Sequence, residues 1–90
     1  MDRVEKIRAR MLEALTPDHL EIIDDSHKHA GHAGAASGGG HFSVDIVSEK
    51  FSGQAPIARH RLVFQAVDDM MPGEIHALSI NARTPEEYGA

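Results

Sequence analysis

Between residues 41 and 82, two stretches with a two-residue period flank one with a helical period. This order restricts the fold more than any other feature of the chain. In residues 74–82, EIHALSINA, His76, Leu78, Ile80 and Ala82 fall on one side of a strand, and Ile75, Ala77, Ser79 and Asn81 on the other. Residues 41–48, HFSVDIVS, alternate likewise, with Phe42, Val44 and Ile46 opposite Ser43, Asp45 and Val47. Between them, residues 57–71 place Val63, Val67 and Met70 in one apolar row, with Leu62 and Ala66 beside it. Pro56 suits the first helical turn and Pro72-Gly73 ends the helix. A strand, a helical crossover and a strand give two parallel neighbours, whose starts lie at one end of the sheet. The expectation is that residues 74–82 form the central strand. Its start should then bring His76 towards the upstream loop that carries His27, His29 and His32 and ends at His41.

The remaining elements fit around this unit. Residues 2–15 form an amphipathic helix with Val4, Ile7, Met11 and Leu15 on one stripe, Asp2 as a cap and Thr16-Pro17 as a stop. Arg3, Lys6, Arg10 and Glu13 lie off that stripe. Residues 19–25, HLEIIDD, read as a short strand that pairs as a hairpin with residues 41–48. The intervening residues 27–40 hold five glycines and four alanines, with no larger apolar side chain, and read as a flexible surface loop. Residues 84–90 read as a C-terminal tail, with a last helical turn able to start at Thr84-Pro85. The expected fold is α+β, a single domain over residues 1–90. Its order is helix, strand, strand, helical segment, strand, with the helices on one face of a three-stranded mixed sheet. Four aromatic residues leave a core built mainly from Ile, Leu, Val, Met and Ala.

Composition excludes several function classes. A net charge of −5 opposes affinity built mainly on non-specific nucleic-acid contacts. With no cysteine, disulfides are impossible and no thiolate is available to a metal. The N-terminal stretch is charged and amphipathic rather than a signal peptide, and no apolar run approaches a membrane span. A soluble cytoplasmic protein without membrane contact is expected. No nucleophile–base–orienter set is present, so a non-enzymatic role is expected. Two groups remain with chemistry to offer. His27, His29 and His32 could reach one metal ion from a loop, or could simply be solvated. Arg59, His60 and Arg61 stand at a helix start, where two guanidinium groups could hold a phosphate or carboxylate, or could serve as packing charge.

Five blocks, in order, resemble the BolA family: DDSHKHAGH at residues 24–32, HFSVDIVS at 41–48, FSG at 51–53, RHRLV at 59–63 and IHALSI at 75–80. The resemblance runs from about Leu15 to Glu86 and implies a fold like the type II KH domain. Where nucleic-acid-binding KH domains carry Gly-x-x-Gly, this chain has Gly53-Gln54-Ala55-Pro56, which weakens an RNA-binding reading. The resemblance implies two roles. One is partnership with a monothiol glutaredoxin around a bridging [2Fe–2S] cluster, in iron–sulfur trafficking or iron regulation. The other is transcriptional regulation, as in a stress response, through DNA binding by a helix-turn-helix-like segment. Carried over, the C-terminal cluster ligand falls on His76 and the loop ligand on His29 or His32. The basic block falls on Arg59, His60 and Arg61, with Lys50 nearby. Such a cluster is shared with glutaredoxin and glutathione and is not bound by this chain alone, which is expected to be a monomer or weak homodimer. Imidazole ligation raises the cluster's potential relative to thiolate and weakens in acid. A third reading is a plain transition-metal binder using His27, His29, His32 and His76.

Overall fold

The computed structural model describes residues 2–26 and 40–89, so His27, His29 and His32 lie outside the described residues. Helix α1 (Arg3–Leu15) starts where the Asp2 carboxylate accepts the Glu5 N–H at 2.8 Å. It buries Ile7, Met11 and Leu15, the stripe its periodicity specifies, and ends at Thr16, which turns left-handed (φ 39°). Strand β1 (His19–Asp24) runs antiparallel to β2 (Gly40–Val47), with Ile22 opposite Val44. Strand β3 (Ile75–Arg83) lies parallel to β2, as the crossover requires.

The strand order is β1-β2-β3, so β2 is the middle strand and β3 an edge. The expectation that residues 74–82 would be central is corrected by the hairpin. Pairing with β1 leaves only one side of β2 open, and the crossover strand fills it. The expected helix at 57–71 is also shorter. Helix α2 (Pro56–Ala66) stops at Val67 (φ −119°), and a separate 3-10 turn at Asp68–Met70 follows. Asp68 and Asp69 are poor helix formers, and the new direction drops Met70 into the core. A short helix, α3 (Pro85–Gly89), occupies the tail.

The core lies between the sheet and the two main helices. Ile7, Met11 and Leu15 of α1 and Val63 of α2 meet Phe42, Val44 and Ile46 of β2, with Phe51, Val67, Met70 and Ile75 closing the ends. Each such buried side chain contributes about 1.5–3 kcal/mol. The opposite sheet face carries polar residues. At its Val47 end, Tyr88 of α3 stacks on His19 at 5.0 Å, and the Arg83 guanidinium lies 4.9 Å from the Tyr88 ring centre. Arg83 in turn donates to both oxygens of Asp45, at 2.9 and 3.1 Å.

Candidate functional site

Parallel pairing is regular along β2 and β3 except at their shared start. Gly40 pairs with Ile75, but the next residue, His41, pairs with Ala77. His76 is therefore an extra residue, and His76 and Ala77 together oppose one residue of β2. This is the two-against-one arrangement of a β-bulge, which re-aims a side chain locally. Strict alternation had put His76 with Leu78 and Ile80, and Ile75 on the far side. The structure reverses both: Ile75 is fully buried and His76 is exposed. Burial of Ile75 explains the phase change, since one core-facing isoleucine outweighs a regular ladder at the strand's first residue.

The exposed His76 ring stands next to His41. Their centroids are 5.2 Å apart and their planes tilt by 40°. His41 is held through its backbone: its N–H donates to Ser26 Oγ at 3.0 Å, and its carbonyl accepts the Asp25 N–H at 2.7 Å. The Ser26 N–H donates to Asp24 Oδ1 at 2.9 Å, and the Ser43 hydroxyl donates to Asp25 Oδ2 at 2.5 Å. On the other side, the Gly40 N–H donates to the Glu74 carbonyl at 3.1 Å. Ser26 and Gly40, the residues that bracket the histidine-bearing segment 27–39, are thus both tied down at the start of β2. Gly40 has no room for a side chain. A Cβ there would lie 2.5 Å from Phe42 Cε2 and 2.9 Å from Ser26 Oγ.

The basic candidates lie elsewhere. Arg59 has internal partners: its Nε donates to the Gln54 carbonyl at 2.9 Å, and Nη1 donates to the Ala82 carbonyl at 3.1 Å. It also binds both oxygens of Glu87, at 2.6 and 3.3 Å. Hydrogen bonding from Arg59, then from the Thr84 N–H, holds the Glu87 carboxyl down to about 2. For Arg59 the anion is thus a carboxylate of this chain, as in the packing-charge alternative. Lys50, His60 and Arg61 are exposed. Ala82 is six residues along β3 from His76, so the basic group and the histidine pair are separated by about 20 Å.

Chemically, the exposed His76 offers a nitrogen donor at the sheet's end, with a second imidazole beside it. Among the described residues, no three His, Asp or Glu side chains converge on one point that could hold a metal ion. With no cysteine in the chain, any thiolate ligand must come from another molecule. Sequence reasoning brought His76 towards the loop that ends at His41, but it missed two things here: that the two rings share one outer face, and that Glu87 is the partner of Arg59. Strict period-two counting hid the first, because a bulge leaves no composition signal. The second links the C-terminal tail to a helix across 28 positions. A shallow concavity along α1 is lined by Lys6, Ala9, Arg10, Glu13, Ala14 and Ala66, but its two cations already pair with Glu74 and Asp69. Among the described residues, no helix is long and apolar enough to cross a membrane.

Comparison with known proteins gives one consistent match. The family model described as BolA-like protein covers residues 11–87. BolA-like protein 1 of Mus musculus is 43% identical over 82 residues, which are 91% of this chain and 58% of that protein. The chain thus spans a little over half the length of that relative. The DNA-binding transcriptional regulator BolA of Vibrio cholerae is 39% identical over 82 residues, 91% of this chain and 74% of that one. Among solved structures, the BolA domain of SufE1 from Arabidopsis thaliana matches with a TM-score of 0.84 at 39% identity. That match covers 97% of this chain and 96% of the other.

Proposed function

This chain belongs to the BolA-like protein family, and from that premise we propose that it is a non-enzymatic adaptor. It binds a monothiol glutaredoxin and shares a bridging [2Fe–2S] cluster in cytoplasmic iron–sulfur trafficking or iron regulation. The observation that carries this reading is the exposed imidazole of His76, turned outward by the bulge. It stands at the end of the sheet where segment 27–39, with His29 and His32, begins and ends. The donor set fits a shared site. A four-thiolate cluster needs four cysteines, and this chain supplies none; its own contribution is nitrogen, and sulfur comes from glutaredoxin and glutathione. When bound, the cluster supplies electron-accepting or transferable iron. The role of His76 is to present a neutral nitrogen in a fixed direction, and that of the second histidine is to complete the pair. Anaerobic reconstitution with a monothiol glutaredoxin and glutathione tests this. The mixed sample should give a visible spectrum distinct from that of glutaredoxin alone, and His76→Ala should return it to the glutaredoxin form. A spectrum untouched by His76→Ala overturns the assignment.

A second reading is a DNA-binding regulator, which the description of the Vibrio cholerae relative supports. The exposed Lys50, His60 and Arg61 are the residues available for it. Its signature is salt-dependent duplex binding that weakens in Arg61→Ala. Absence of binding at low salt removes it.

A further inference from the structure

We propose that the outer edge of β1 is a docking site for an extended, basic segment of another protein, which joins the sheet as a fourth strand. β1 is the edge strand opposite β3. The Asp25 N–H bonds the His41 carbonyl at the end of the β1–β2 ladder, so the odd residues of β1 face β2. The even residues Leu20 and Ile22 therefore turn their N–H and C=O groups outward, and among the described residues nothing bonds them. The other edge differs, because the Ala82 carbonyl of β3 accepts from Arg59. Free backbone groups along an edge strand are the template for strand addition.

Charge selects the occupant. Residues 18–25 hold Asp18, Glu21, Asp24 and Asp25 and no Lys or Arg. Asp24 and Asp25 accept from the Ser26 N–H and the Ser43 hydroxyl. Glu21 is exposed, has no partner among the described residues, and stands opposite Asp45 in the ladder. Like charges facing each other across two strands repel, and a cation beside them relieves that repulsion. A second copy of β1 is a poor occupant for the same reason. Antiparallel pairing about Glu21 would set Glu21 against Glu21 and Asp18 against Asp24. In an added strand, one side chain falls beside Glu21 and the next on that face beside Ile23, which is 48% exposed. The fitting pattern is Lys or Arg at the first place and an apolar residue at the second. Glu21 and Ile23 also line a concavity of about 330 Å³ with Ser43, Asp45, Ser79 and Asn81, which gives a long basic side chain room. None of this uses His76 or a cluster.

The test is amide hydrogen exchange of the full chain, followed by NMR with and without a peptide of about ten residues that alternates Lys and Val. In the free chain the Leu20 and Ile22 amides should exchange quickly, and the peptide should protect both. That readout needs no variant. A peptide with Glu in place of Lys should not bind, and added salt should weaken the Lys peptide. Glu21→Lys, at an exposed position, should weaken it by about tenfold or more. Spermine carries positive charge but no peptide backbone, and should protect neither amide. The proposal fails if Leu20 and Ile22 stay unprotected, or if Leu78 and Ile80 of β3 are protected in their place. It fails equally if spermine or the Glu peptide protects as well as the Lys peptide does. Protection that grows with the concentration of the chain alone makes a second copy the occupant and also overturns it. The glutaredoxin reading stands or falls separately, on the cluster spectrum.

Discussion

A methyl group added at Gly40 would press on the Phe42 ring and on Ser26 Oγ, and both neighbours are themselves fixed, one by the core and one by the His41 N–H. Gly40→Ala is therefore expected to destabilise the fold by about 1–3 kcal/mol, read as a lower denaturant midpoint. The neighbouring pair Ile75 and His76 gives a sharper check. Ile75→Ala should cost about 2–5 kcal/mol, because it empties a fully buried site. His76→Ala, at an exposed position, should stay within about 0.5 kcal/mol. Strict alternation predicts the opposite ranking, so the two melts decide whether the bulge exists in solution. At this scale the sequence made His76 conspicuous but not its direction. Identity and spacing are local, whereas the extra residue in β3 is settled by what the core accepts.

The terminal helix α3 is held by a few named contacts: Glu87 on Arg59, Tyr88 on His19, and Arg83 over Tyr88. The Glu87 carboxyl is lowered from 4.5 to about 2 when docked, so the unfolded or undocked state takes up its proton first as pH falls. Its contribution is complete above about 4.5 and is lost as pH falls through about 2. Tyr88 is the only tyrosine and there is no tryptophan, so intrinsic fluorescence reports this helix alone. The acid change in emission assigned to Glu87 should begin below about 4.5. In Glu87→Gln the acid step should be missing. Elements with a clear period were legible: α1, β1, β2 and β3 fall within a residue or so of where the pattern puts them. The last helical turn was legible at Thr84-Pro85, but its docking and the break after Ala66 were not. The docking relies on residues far away in sequence, and the break depends on Met70 finding the core.

For the whole molecule, hairpin and crossover together fix where the strands begin, and the histidine end of the sheet follows from that topology. Asp24 pairs with Phe42 and Asp25 bonds His41, so the hairpin is held right up to the start of segment 27–39. Replacing residues 27–39 by a Gly/Ser linker of about five residues should change stability by less than about 1 kcal/mol. The same replacement should alter the mixed cluster spectrum if His29 or His32 is a ligand, and leave it intact if His41 is. The architecture was legible from period and order alone. The strand at its centre was not, because parallel neighbours look alike in sequence until a hairpin partner claims one side. Strand β3 is left at the sheet's margin, and its Ala82 carbonyl points away from β2 into the Arg59 guanidinium, since Arg83 supplies the next bond to Ser48. An unplugged margin of this kind templates polymers by accepting strands from other molecules. Arg59, braced by Glu87, thus works as a stopper, and a chain ending at Thr84 should scatter light at concentrations where the full chain stays dispersed.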